Sequence, residues 1–469
     1  MQPDHVIIGS GINGLVAASL LALKGRKVLV LEREAVAGGC MRTEELAPGY
    51  LHDVMAATFV LFITSPAGAA LGPHLARHGW EYCHTSHPTA VLRPDGQAVV
   101  LTMDRAANVR TFNTLASGDG DAFAADADRV AADAPVLFAL LGQRLWSWPM
   151  AKLLLGQARK RGLHGLATWL GQALDPARGW LQTTYRSEAM RALFAPWVLH
   201  TGLTMESTYS GQMGRVIAFA LEAAGAPILK GGAGQGAQAF RALIEACGGE
   251  IRYRVDVDRI IVRNGLTAGV RLANGEEIAT KSVLASVTPD QLYSRLLDGV
   301  NLPDERASAR KFRHGRGNFQ LHYALDAPPE WLTPGLDQVA LIHLSDGIDA
   351  VSKSSNEAER GMLPATPTIC VGQPSQLDPT RCPDGKAVLW MQIPDAPSII
   401  KGDAAGEIEG HDWDSVREAF ADRLERILAR HIRGFDKLIV ARKAYSPTDL
   451  ERMNINLVGG DPYGGHCGI

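Results

Sequence analysis

The stretch His5-Val-Ile-Ile-Gly-Ser-Gly-Ile-Asn-Gly14, followed by the apolar run Leu15–Lys24 and by Lys27-Val-Leu-Val-Leu-Glu32, decides the fold. A short apolar strand opens into a glycine turn, the turn into a helical run, and the helix into a second strand that ends on an acid. This is a βαβ unit of about thirty residues. Each glycine has a physical reason in that context. Gly9 permits the tight turn, Gly11 lets the backbone approach a pyrophosphate, and Gly14 lets helix and strand pack closely. The free N–H groups at the helix start, from Gly11 through Ile12 and Asn13, together with the positive helix end, suit a phosphate. Glu32, with Arg33 beside it, falls where a carboxylate accepts hydrogen bonds from a ribose diol.

The rest of the composition bounds the function. The chain has 469 residues, with 47 Lys+Arg against 50 Asp+Glu and a formal charge of −3. Two or three domains are expected at that length. The near-neutral balance argues against a nucleic-acid partner, which would require a basic surplus to neutralise phosphates. The six cysteines, Cys40, Cys83, Cys247, Cys370, Cys382 and Cys467, include no C-x-x-C pair, so neither a redox dithiol nor a disulfide framework is expected. The start has no signal-peptide pattern, and the apolar run Val54–Ile63 is about half of what a membrane span requires. A cytoplasmic protein is expected, with a peripheral membrane contact left open.

Past Glu32 come Ala37-Gly38-Gly39-Cys-Met-Arg42-Thr43. Glycine fingerprint, acid, glycine pair and arginine in this order resemble the FAD-binding flavoproteins of the glutathione reductase and amine oxidase superfamily. Within it the order of parts resembles the phytoene dehydrogenase-related oxidoreductases, closest to the pyridine nucleotide-disulfide oxidoreductase domain-containing protein 2 group. Two further segments carry that resemblance, Lys230-Gly-Gly-Ala-Gly-Gln-Gly236 with its following block, and Met453-Asn-Ile-Asn-Leu-Val-Gly-Gly-Asp-Pro-Tyr-Gly-Gly-His-Cys-Gly468. The resemblance implies FAD as cofactor, held by Gly9, Gly11, Ile12, Asn13, Gly14, Glu32, Arg33, Gly38, Gly39, Arg42 and Thr43, with the backbone of Val257 facing the adenine. It also implies that His52–Phe59 passes beside the flavin. Relatives continue beyond this point through a closing strand and turn. Here five residues follow Gly464, so a C-terminal FAD-closing segment is expected to be absent.

The expected fold class is α/β: a Rossmann-like FAD-binding domain of the glutathione reductase type, assembled from discontinuous segments, plus an α+β substrate domain with a helical, Trp-rich part. Residues 1–60 form the first FAD-binding segment and 61–224 a mainly helical substrate domain. Residues 225–295 return to the FAD-binding domain, 296–410 add a mixed sheet, and 411–469 supply a helix and an incomplete C-terminal segment. Trp146, Trp148, Trp169, Trp180 and Trp197 cluster in the helical part. The basic stretch Lys152–Arg161 reads either as a solvated helix end or as a membrane-surface segment. Asn274-Gly275 marks a hairpin. Gly232-Ala-Gly-Gln-Gly-Ala237 formally repeats a dinucleotide fingerprint, but no acid ends the following strand.

The resemblance implies hydride removal from a long, lipophilic, isoprenoid-like substrate to the flavin N5, with reoxidation by oxygen or another acceptor. An oligomer is left open. The alternatives are an FAD-dependent amine oxidase, or a catalytically silent flavin fold acting through partner binding. His52, His200 and His466 are the catalytic candidates, because they fall near segments expected to approach the flavin. The absence of G-x-S-x-G and H-E-x-x-H leaves hydrolase and metal chemistry without support, and no metal site is expected.

Overall fold

The computed structural model describes residues 2–55, 57–142, 144 and 146–468. Ala56, within the segment expected beside the flavin, lies outside them. The chain begins with β1 (His5–Ile8), α1 (Ile12–Leu23) and β2 (Val28–Leu31). Val6 to Ile8 and all of β2 are buried on both faces: Ile7, Val28 and Val30 face helices, while Val6, Ile8, Leu29 and Leu31 face Val257, Ile260, Val270 and Ile278 of a three-stranded antiparallel sheet. Residues 61–224 then supply β3 (Thr89–Leu92), β4 (Ala98–Leu101), α2 (Asp119–Gly142), α3 (Trp148–Ala173, broken at Gly162 with φ +73°), α4 (Glu188–Leu199) and α5 (Ser210–Ala224). The chain returns through α6 (Ala233–Ala246), β5 (Glu250–Arg252), β6 (Val257–Arg263), β7 (Leu266–Leu272), β8 (Glu277–Ala279) and β9 (Val283–Ala285). It then builds β10 (Gly317–Leu325), β11 (Leu341–Leu344), β12 (Ile369–Gly372), β13 (Ala387–Ala396), α7 (Trp413–Ala429) and β14 (Ile439–Tyr445).

Two main sheets organise these parts. The first is parallel, in the order β9-β1-β2-β5, so its outer strands come from residues more than two hundred positions downstream of β1 and β2. Helices α1 and α6 pack on it through Leu15, Ala18 and Ala22 against Ala237, Phe240 and Ile244. The alanines allow the close approach that the fingerprint turn requires. The second sheet has seven strands in the order β14-β10-β13-β12-β11-β3-β4. One face is covered by α7 through Trp413, Phe420, Leu424 and Leu428. The other packs against α4, in a core with Leu193, Trp197, Leu341 and Cys370.

Residues 61–224 are mainly helical, but β3 and β4 leave the helical part to join the large sheet. Each is a four-residue apolar run, which hydrophobic pattern cannot tell from a buried helix segment. Residues 411–469 are not simply a helix and a piece of the FAD-binding domain, since β14 pairs with β10 as an edge strand of the large sheet. The Asn274-Gly275 hairpin joins β7 and β8. A second Asn-Gly, Asn264-Gly265, joins β6 and β7 with both residues at positive φ, the signature of a type I′ turn.

Candidate functional site

The glycine turn after β1 forms one end of a cavity of about 1650 Å³. A cavity of that size exceeds the usual 300–1,000 Å³ of a single small-ligand pocket. Gly9 adopts φ +89°, and a Cβ there would lie 3.3 Å from the Ser286 carbonyl oxygen. A Cβ on Gly14 would stand 2.3 Å from the Gly9 carbonyl, so this glycine is the contact between turn and helix. A Cβ on Gly11 would meet no protein atom within 4 Å, and Gly11, Ile12 and Asn13 line the cavity. The turn thus offers bare backbone and a helix N-terminus to open space, which fits a pyrophosphate.

The acid at the end of β2 is held in place by the turn itself. Glu32 Oε2 accepts hydrogen bonds from the Ser10 amide (2.8 Å) and hydroxyl (2.5 Å), while Oε1 accepts from the Glu34 amide (2.8 Å). Ser10 is a member of the site that sequence reasoning passed over. Gly38 donates its amide to the Ser10 carbonyl (2.9 Å), and Gly39 packs so closely that a Cβ would lie 3.1 Å from Gly11 Cα. Arg33 and Arg42 both line the cavity, each paired with a neighbouring glutamate: Arg33 with Glu34 at 3.3 Å and Arg42 with Glu44 at 2.9 Å. Val257 stands in the wall at the same end, its carbonyl accepting from Arg295 Nη1 at 2.8 Å.

Thr43 is placed elsewhere. Its hydroxyl donates to Asp53 Oδ1 (2.7 Å) and accepts from the Gly234 amide (2.9 Å), behind the cavity wall. That contact disposes of the second fingerprint-like stretch. The amides of Gly231, Ala233 and Gly234 are taken by Asp378, Asp53 and Thr43, and a Cβ on Gly232 would lie 2.3 Å from Thr43 Oγ1. The start of α6 is filled by protein. Arg381, fully buried, locks it by pairing with Asp53 and Asp378 at 2.9 Å each and donating to the Leu229 carbonyl.

The cavity continues from Met453–Asn456, Pro462 and Tyr463 into an apolar arm lined by Trp197, Met213, Ile217 and Leu341. Leu61 and Phe138, which line it and are 87% and 48% exposed, mark its mouth. The C-terminal stretch is tied to α4 by the Tyr463 hydroxyl, which donates to the Leu199 carbonyl at 2.8 Å. Within Met453–Gly468, which the sequence singles out for its resemblance, only His466 is read as a site residue, while Met453–Asn456, Pro462 and Tyr463 are not.

The three candidate histidines separate. His52 is buried away from the cavity, edge-on to His322 with ring centroids 5.4 Å apart, and burial pushes it down to about 2. His466 is exposed near the end of the chain. His200 lines the cavity. Its Nε2 lies 2.9 Å from His343 Nε2, and Trp197 packs on both rings. Burial lowers His200 to about 4 and His343 well below its ordinary value, so both rings are neutral at pH 7. His343 faces Cys370 across β11 and β12, which brings His200, His343 and Cys370 within 4.8 Å of one another. The 2.9 Å separation of the two nitrogens is that of a direct hydrogen bond. Cys40 lines the cavity as a thiol, its pKa raised to about 11 by burial, and all six cysteines are free. Thiol redox chemistry therefore has no second sulfur here.

Among known proteins, the family model for an NAD(P)-binding Rossmann-like domain matches residues 7–82. The mouse pyridine nucleotide-disulfide oxidoreductase domain-containing protein 2 is 27% identical over 98% of this chain and 84% of its own length. Carrot chloroplastic prolycopene isomerase is 26% identical over 96% of this chain and 70% of its own. A solved putrescine oxidase variant superposes with a TM-score of 0.59 over 96% of this chain at 15% identity. These likenesses are to oxidoreductases, and they agree with the Rossmann-like α/β fold of the chain. In this oxidoreductase the Rossmann-like part is built from β1, β2, β5 and β9, and among the described residues no helix is long and apolar enough to cross a membrane.

Proposed function

We propose that this chain binds FAD along Gly9–Asn13, Glu32, Arg33, Gly38–Arg42 and Val257 and oxidises a lipophilic, isoprenoid-like substrate held in the apolar arm. The observation that carries this reading is continuity: one cavity joins the dinucleotide turn to an apolar chamber. FAD supplies the hydride acceptor, at N5, when bound. The protein's own contribution is positional. Gly11 yields backbone to the pyrophosphate, Glu32 is oriented by Ser10 towards the ribose, and Gly14 and Thr43 brace the site from behind. Trp197, Met213, Ile217 and Leu341 exclude water from the arm. The carotenoid-type substrate named for the prolycopene isomerase relative supports the lipophilic class.

An amine substrate is disfavoured by charge. The acids in the cavity wall, Glu32, Glu34 and Asp256, belong to the nucleotide end, so an ammonium in the arm would meet no carboxylate. The deciding experiment is the visible spectrum of the purified chain with release and identification of its cofactor, followed by anaerobic bleaching with C20–C40 isoprenoids. A colourless protein that takes up no FAD overturns the reading. Peroxide release with amines replaces it by the amine oxidase.

A lipid surface is the proposed source of the substrate. From residue 134 to 174 there is no Asp or Glu, while Arg144, Lys152, Arg159, Lys160 and Arg161 are all present. Trp146, Trp148 and Leu163, at 99%, 81% and 81% exposure, lie in the same stretch, next to the α2 residues that line the cavity mouth. Cations beside exposed tryptophan and leucine suit an anionic bilayer. Co-sedimentation with phosphatidylserine vesicles, lost in a Trp146→Ser/Trp148→Ser variant, is the expected result. Equal recovery of both proteins in the supernatant overturns it.

A further inference from the structure

His200, backed by His343, is a polar group in the wall of the largely apolar arm, and the tautomers of the pair follow from its surroundings. Three hydroxyls in this part of the wall are spent locally: Thr64, Ser65 and Thr201 each donate to a backbone carbonyl within 3.0 Å. His200 Nε2 is engaged by His343 Nε2, so the nitrogen of His200 left for the cavity is Nδ1. His343 Nδ1 is buried with no partner. An orphaned buried N–H is the rarer and costlier arrangement, so the bare nitrogen belongs at that position. His343 then carries its proton on Nε2 and donates it to His200 Nε2. A neutral His200 must in consequence carry its own proton on Nδ1.

We propose that His200, held in this tautomer by His343, is a binding residue whose Nδ1–H reads an uncharged oxygen, a hydroxyl or keto group, on the lipophilic substrate. The inference rests on the proposed function for its premise that the substrate occupies the arm. The rings are neutral, so the site suits an uncharged acceptor. A pure hydrocarbon would leave the N–H buried and unpaired, and a carboxylate would bring an uncompensated charge into an apolar chamber. His343 is a positioning residue: it touches His200 and sets which nitrogen is the donor.

The test uses the FAD-loaded full chain and a matched pair of probes, geranylgeraniol and the C20 hydrocarbon that lacks its hydroxyl. Affinity is read by tryptophan quenching, since the Trp197 ring lies 4.7 Å from that of His200. The alcohol is expected to bind roughly 10- to 100-fold more tightly than the hydrocarbon. His200→Leu is expected to abolish that preference by weakening the alcohol alone, and His200→Asn, which keeps a donor, to restore most of it. His343→Leu is expected to reduce the preference and His343→Gln to recover it, a rescue that a purely packing role would not show. Equal binding of the two probes by the wild type, or binding of neither, overturns the proposal, as does a preference unchanged in His200→Leu. Stoichiometric zinc that disappears in Cys370→Ser also overturns it, by giving the facing nitrogens another partner. Flavin bleaching is recorded in the same samples. A hydroxyl preference without bleaching by any isoprenoid sinks the redox reading and leaves the subsite standing, and bleaching without preference does the reverse.

Discussion

Two glycine-rich turns lead into helices in this molecule, and they have opposite fates. At Gly9–Gly14 the backbone faces open space, and a Cβ on the central glycine would touch nothing. At Gly231–Gly236 the amides of Gly231, Ala233 and Gly234 are closed by Asp378, Asp53 and Thr43, and Gly232 is required because a threonine hydroxyl occupies the place of a side chain. Glycine spacing is the same signal in both. What differs is the residue that reaches the turn from elsewhere: Glu32 closes on the side of Ser10 and leaves the helix end free, whereas Asp53 and Thr43 cover it.

The sharpest way to break the comparison is to open the closed turn. Arg381→Ala leaves Asp53 and Asp378 buried without their cation and is expected to cost about 3–5 kcal/mol in urea unfolding. Gly232→Ala, at φ +112° and facing Thr43, is expected to cost about 2–4 kcal/mol, with cofactor content per folded molecule unchanged. Gly11→Ala should give the inverse result: unfolding within about 1 kcal/mol of the parent, but FAD affinity lowered roughly 100-fold because the methyl fills the approach to the pyrophosphate. If Gly232→Ala lost cofactor and Gly11→Ala did not, the assignment of the two turns would be reversed. Glu32→Gln, which keeps shape and removes charge from the Ser10 contacts, is expected to weaken FAD roughly 10-fold by titration calorimetry.

The smallest effect is a pH dependence. His52, next to Asp53 and close to Arg381, is held neutral, its folded pKa near 2 against about 6.5 in the unfolded chain. The unfolded state therefore binds the proton more readily between those values, and stability falls as pH drops below about 6.5. Wild type should lose roughly 1 kcal/mol per pH unit relative to His52→Leu between pH 6 and 5, measured as parallel urea midpoints. A constant difference would mean that His52 charges freely in the fold.

What was legible in the sequence was whatever is local. The βαβ unit, the hairpin at Asn274-Gly275, the long strands β10 and β13 and the amphipathic α7 all follow from pattern within a window of twenty residues. The arrangement of β3 and β4 was not legible, since a four-residue apolar run carries no periodicity. The site was half legible. Glycines and the terminal acid announce themselves by spacing, but the pairing of His200 with His343 spans 143 residues and has no local signature. His52 attracted attention only by lying near a motif, and the structure puts its ring on the far side of the wall. Thr43 lay within the motif itself, yet faces the other way.

The parallel sheet also has a consequence for synthesis. Val6 pairs with Val283 and Leu31 with Arg252, so β1 and β2 leave the ribosome long before either flanking strand exists. At about 5–20 residues per second, the intervening chain takes on the order of ten to fifty seconds to appear. Over that interval two short, largely apolar strands have unpaired edges, an arrangement prone to capture by another chain. The dinucleotide turn, encoded first, is completed only when β9 arrives with Ser286 behind it.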